Sequence, residues 1–224
     1  MKKSLRLAAF AAFTMSAHLW GGSIVLTNNL TEPLAGNDVL STTIWHAISF
    51  TTDNNTYTLD TVTLLMELGE DLPTSQLPAG LITNAVTDIA QVSLYTNNGG
   101  HPGSLISVLT PTSTATFSLQ DVTFAGGGIT VSPDSTYWVV LQALSGVVSW
   151  GFSSDNNGSG IGFTDDFSDT GDSGINWSTF AGDPDEAEVT ADLVAAPEPS
   201  SVLLMGLGLL GVAVLVRRNR QGTV

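Results

Sequence analysis

Between Leu7 and Val216 the chain has no Lys, Arg or Cys, so any chemistry there falls to carboxylates, hydroxyls, aromatic rings and, past the N-terminal segment, the imidazoles of His46 and His101. Neither histidine stands in an HExxH or HxH spacing, and there is no GxSxG elbow, Walker loop or GxGxxG fingerprint. His101 follows Gly99 and Gly100 and precedes Pro102, which reads as an exposed loop, whereas His46 beside Trp45 reads as a strand residue. The densest run of oxygen donors is the Gly-rich stretch Asp155 to Glu188, with Asp165, Asp166, Asp169, Asp172, Asp183, Asp185, Glu186 and Glu188. Calcium takes carboxylate and carbonyl oxygens in flexible loops, so Asp165, Asp166, Asp169 and Asp172 are candidate calcium ligands. The spacing matches neither an EF-hand nor an RTX repeat, and the plainer reading is a solvated acidic loop with no cofactor. Paired carboxylates also hydrolyse glycosides, but any two Asp residues in so acidic a chain meet that description, and an enzyme is not the expectation. Among the tryptophans, Trp138 and Trp150 sit in apolar strands and read as core. Trp177 follows an Asp/Gly loop in Asn176-Trp177-Ser178 and is the candidate ring for stacking on a sugar, although packing is the plainer reading for it too.

The elements that must hold these groups read as strands and turns. Thr43 to Thr52, Tyr57 to Met66, Ile89 to Thr96, Leu105 to Leu109, Thr114 to Gln120, Gly128 to Ser132, Thr136 to Leu144, Val147 to Phe152 and Ala187 to Val194 are β-rich runs of strand length. Asp53-Asn54-Asn55, Asn97 to Gly100, Gly126-Gly127-Gly128, Ser132-Pro133-Asp134 and Ser145-Gly146 are the punctuation between them. Ala115, Phe117 and Leu119 alternate with hydroxyl and amide residues, predicting a half-buried strand; Tyr137 to Leu141 is apolar on both parities, predicting a strand buried in the middle of a sheet. With no persuasive amphipathic helix, the expected class is all-β, a jelly-roll-like antiparallel sandwich of two sheets.

Composition and charge set the context. Of 224 residues, 42% are apolar and 12% charged, too apolar for an acidic disordered chain and too poor in ion pairs for an ordinary cytosolic one. Without Cys there are no disulfides, thiolate metal sites or thiol nucleophiles. The six basic residues are Lys2, Lys3, Arg6, Arg217, Arg218 and Arg220, while 20 of the 21 acidic residues, all but Glu198, lie between positions 24 and 196. Nucleic-acid binding, which depends on cationic surface, is excluded as an expectation, and charge self-repulsion favours solubility.

The ends carry targeting patterns. Lys2, Lys3 and Arg6 precede the apolar run LAAFAAFTM from Leu7, and small residues at Gly21 and Ser23 suit cleavage after Ser23, so residues 1–23 read as a secretory signal peptide. Residues 200–216 (SSVLLMGLGLLGVAVLV) hold no charge and run into Arg217, Arg218 and Arg220, a membrane stop whose cations stay cytoplasmic. Seventeen residues of helix cover about 25 Å, just short of a hydrocarbon core, so this predicted transmembrane helix spans with local thinning or snorkelling. Pro197-Glu198-Pro199 stands immediately before it; the two prolines keep the backbone extended at the membrane face. Pro-Glu-Pro, an apolar span and an Arg cluster in that order resemble a PEP-CTERM sorting signal, over residues 197–224. The resemblance implies recognition by an exosortase-type membrane protease, an inner-membrane-anchored precursor, and an envelope, surface or secreted product in a Gram-negative bacterium that makes extracellular polysaccharide and biofilm.

A second resemblance lies in residues 24–196, the expected acidic domain. WHAISFTT from Trp45, YTLDTVTLL from Tyr57, VSLYTNNGGHPG from Val92 and SPDSTYWVVL from Ser132 are similar, in that order, to choice-of-anchor domains of the R type, over roughly residues 40–152 with a looser stretch at 67–88. That family implies a surface location and names neither catalytic residues nor a ligand. The functional expectation is a non-enzymatic surface protein associated with exopolysaccharide, matrix or adhesion. The alternatives are a carbohydrate-active hydrolase using the loop carboxylates and a purely structural surface protein.

Overall fold

A computed structural model describes residues 22–69, 88–194 and 208–209. Nearly all of the signal segment 1–23, all of Pro197-Glu198-Pro199 and Arg217-Arg218-Arg220, and the span 200–216 except Gly208 and Leu209 lie outside the described residues. Among the described residues no helix is long and apolar enough to cross a membrane.

The described chain forms fourteen strands: β1 (Ile24–Asn28), β2 (Leu34–Leu40), β3 (Trp45–Thr51), β4 (Tyr57–Leu68), β5 (Ile89–Asn97), β6 (Pro102–Val108), β7 (Thr110–Pro111), β8 (Gln120–Ala125), β9 (Thr130–Val131), β10 (Thr136–Ser145), β11 (Val148–Ser153), β12 (Phe163–Thr170), β13 (Ser178–Ala181) and β14 (Ala187–Leu193). They make two antiparallel sheets packed as a sandwich. The eight-stranded sheet runs β1-β14-β4-β11-β2, with β8 and β9 also on β4 and β7 on β8; the six-stranded sheet runs β13-β12-β3-β10-β5-β6. The twelve-residue β4 organises the first sheet, because its apolar positions alternate along its length and four other strands pair with it.

Period-two alternation puts one face of each sheet into a shared core. Leu59, Val62, Leu64 and Met66 of β4, Val122 and Phe124 of β8, and Val189 and Ala191 of β14 meet Ile48 and Phe50 of β3, Val92 and Leu94 of β5, and Tyr137, Val139 and Leu141 of β10. Trp150 is fully buried here, and its indole donates to the Glu186 carbonyl at 2.9 Å, so the one polar atom of a large apolar side chain is satisfied. Tyr137 and Phe50 stack with ring centroids 5.7 Å apart. β10 is apolar on both parities because it is central in its sheet and covered on both faces: Trp138 and Val140 face away from the shared core and join Ala47 in a second cluster.

Two local expectations are corrected. The segment Thr114 to Leu119 is not a strand; pairing begins at Gln120, and Phe117, the largest residue of the alternating pattern, is 63% exposed. Alternation alone leaves backbone groups unmet unless a neighbouring strand is free to pair, and here a loop hydrogen bond from the Leu68 amide to the Thr116 carbonyl takes that place. The acidic stretch 155–188 is not one loop: it contains the β12–β13 hairpin, through which β12 joins the six-stranded sheet beside β3. The turn at Gly126-Gly127-Gly128 is as expected, with Gly127 and Gly128 at φ 63° and 76°, where a Cβ is unfavourable.

Candidate functional site

The six-stranded sheet turns an aromatic face outward. Trp45, Tyr95 and Trp177 pack, half-buried, around Ala47, Trp138 and Val140. Trp138 and Tyr95 are directly opposite across β10 and β5. Two turns rise over this face. The β5–β6 turn is anchored by Asn97, whose side-chain oxygen accepts from the Trp138 indole at 3.0 Å and the Gly100 amide at 3.2 Å. The Gly100 carbonyl accepts in turn from the Thr179 hydroxyl of β13 at 2.8 Å, and His101 Nδ1 also meets that hydroxyl.

The second turn joins β12 to β13 and is built by Asp172. Its Oδ1 accepts from the Thr170 hydroxyl at 2.6 Å and from the amides of Ile175 and Asn176 at 3.1 and 2.9 Å, and its Oδ2 accepts from the Asn176 side chain at 2.6 Å. The Thr170 hydroxyl and the Asn176 donors hold this carboxyl down to about 2. Gly174 lies over the Trp45 ring at φ 82°; a Cβ there would stand 2.7 Å from the ring, so only Gly lets the turn lie down on the indole. Trp177 follows, its ring against the aromatic cluster.

Between these turns lies an open cleft of about 760 Å³ lined by Thr96, Asn97, Asn98, His101, Pro102, Gly103, Ser104, Gly174, Ile175, Asn176 and Trp177. Among the described residues no carboxylate lines it. Its walls offer amides, hydroxyls, one imidazole and one indole: neutral donors and acceptors beside an apolar plate, the chemistry of a polyhydroxylated ligand.

Among the described residues, no three of the four carboxylates singled out from sequence bring their ligand atoms within 4.8 Å of one another. Asp172 structures the turn. Asp165 and Asp166 are sequence neighbours at the irregular part of β12, where the register with β3 shifts between Phe163 and Phe167; burial and then the Asp165 charge push Asp166 up. Asp169 lies opposite His46 across β12 and β3.

That last position opens onto a group that sequence reasoning missed. His46 points between the sheets, with Nδ1 3.2 Å from Asp185 Oδ2 and 3.7 Å from Asp38 Oδ2. Among the described residues these three are the group of potential metal-binding side chains whose ligand atoms all lie within 4.8 Å of one another. Asp185 is 1% exposed, whereas the Asp38 side chain is 44% exposed and opens the cluster to solvent. Burial works to lower the His46 pKa, but the hydrogen bond and charge of Asp185 and the charges of Asp38 and Asp169 outweigh it and raise it above 6.5. Burial raises Asp185 as well, against the attraction of His46. The next residue, Glu186, is equally buried; burial and then the charges of Asp121 and Glu32 push it up to about 7, and its Oε1 has no hydrogen-bond partner.

Residues 195–219 match the PEP-CTERM protein-sorting motif. That motif implies an exported, membrane-anchored precursor sorted to the cell surface and processed by an exosortase. No curated protein matches the chain.

Proposed function

We propose that this PEP-CTERM protein is a non-enzymatic surface protein whose sandwich binds extracellular polysaccharide in the cleft between the β5–β6 and β12–β13 turns. The observation that carries the reading is the lining: in a domain rich in Asp and Glu, the walls beside Trp177 are, among the described residues, free of carboxylate and present neutral polar groups. A pyranose presents C–H bonds on one face and hydroxyls around its edge. The indole of Trp177 suits the face, and Asn97, Asn98, Ser104 and Asn176 suit the edge. The lining does not repel an anionic polymer, as the acidic exterior elsewhere does. The similarity of residues 40–152 to choice-of-anchor domains supports a surface role of the same kind.

The test uses the full chain in detergent against extracellular polysaccharide from the producing bacterium and a panel of neutral glycans, read by tryptophan fluorescence, with reducing-end release measured in parallel. Saturable binding without release of reducing ends is expected, weakened by more than about tenfold in Trp177→Ala, a loss of about 1.4 kcal/mol. Absence of binding to every glycan refutes the reading, and release of reducing ends replaces it with a hydrolase.

A further inference from the structure

We propose that Asp38, His46 and Asp185 form a divalent transition-metal site that clamps the two sheets together. Tetrahedral coordination with bonds of about 2.0–2.1 Å puts neighbouring ligand atoms about 3.3–3.4 Å apart. The His46 Nδ1 separations of 3.2 Å to Asp185 and 3.7 Å to Asp38 bracket that spacing. One imidazole nitrogen and two carboxylate oxygens suit zinc; calcium, which takes six to eight oxygens, is poorly served by a set containing nitrogen. Three protein ligands leave a fourth position for water on the side of Asp38, whose exposure gives the ion its access.

Charge and position support the same assignment. Asp38, Asp169 and Asp185 bring three carboxylates around one imidazole, and with no Lys or Arg between Leu7 and Val216 no other side chain in that stretch supplies a permanent positive charge. A dication supplies it at the point of greatest need, where Asp185 is withdrawn from water. Asp38 comes from β2 and Asp185 from the residues leading into β14, both on the eight-stranded sheet, whereas His46 comes from β3 of the other. An ion held by all three ties the layers across the core. Binding places the metal on Nδ1, and any proton there leaves to solvent.

The test is a zinc titration of the full chain, purified in detergent and stripped with chelator, read by native mass spectrometry and thermal melting, with calcium in parallel. One zinc per chain and a raised melting temperature are expected. Asp38→Asn should weaken zinc by more than about tenfold while the protein stays folded, because the buried His46–Asp185 pair remains. Asp166→Asn should bind as the unaltered chain does. Absence of stoichiometric zinc, equal affinity in Asp38→Asn, or the same melting increase from calcium overturns the proposal. Cobalt(II) gives a second reading: intense visible bands of a four-coordinate ion are expected, and weak octahedral bands overturn it.

Discussion

On the outer face of the eight-stranded sheet, Thr61 meets Thr190 at 2.7 Å and Thr63 meets Thr123 at 3.1 Å, hydroxyl to hydroxyl across the strands. On the outer face of the six-stranded sheet, β3, β5 and β10 present Trp45, Tyr95 and Trp138 instead. Both faces belong to the same sandwich and both back onto the same core. The threonine face satisfies itself with short side chains that water can also serve. The aromatic face has to be covered, and the two turns that cover it also build the cleft. A solvated outer face needs no architecture above it; an apolar one needs a roof, and the shape of that roof makes a cleft.

The largest test of this contrast is Trp138→Ala. Trp138 is 1% exposed, although it faces away from the main core, and its loss removes both the apolar floor and the donor that holds Asn97. A destabilisation of about 3–5 kcal/mol is expected in denaturant unfolding. A cost of under about 1 kcal/mol would mean that the aromatic face is only surface. The roof is tested next by Asp172→Asn. Because the folded carboxyl is held at about 2, below its ordinary 3.8, the ionised form is the one that fits the turn. Its contribution is therefore complete above about pH 4 and lost as pH falls through 2. In denaturant unfolding the unaltered chain should lose this contribution between about pH 4 and 2 while the Asn variant does not, and the Asn variant should bind glycan severalfold more weakly at pH 7. Equal binding by the two proteins would separate the turn from the cleft. The smallest effect belongs to the other face: Thr63→Val with Thr123→Val removes both partners of one hydroxyl pair, and stability should move by less than about 0.5 kcal/mol, with glycan binding unchanged.

The all-β class was legible because strand-length runs such as Tyr57 to Met66 and Thr136 to Leu144 carry their signal in β-branched and aromatic residues. Their observed limits, Tyr57–Leu68 and Thr136–Ser145, differ only at the ends. β2 (LAGNDVL) and β12 (FTDDFSDT) were illegible, since Gly, Asn and Asp are weak strand formers; these segments are strands because β11, in one case, and β3 and β13, in the other, present backbone partners. For Trp177 the sequence showed a loop setting and favoured packing, and its ring does pack, half-buried, against the aromatic cluster. The role of Asp172 in building the turn was not: a carboxylate taken up by backbone amides and one facing solvent look alike in a sequence. Least legible was the His46 cluster. Asp185 lies 139 residues from His46, and only the packing of one sheet on the other brings them together.

β14 has a mechanical consequence for the membrane-anchored precursor, which is held at one end. It lies between β1 and β4, paired on both sides, with Ile24 opposite Ala191 and Leu193 opposite Tyr57. It is also the last strand before the sorting motif at 195–219. A pull along the strand through the segment beyond Val194 does not peel an edge open one bond at a time. It loads two rows of hydrogen bonds side by side, in shear, so in the precursor the anchor segment joins the domain at a place that resists tension.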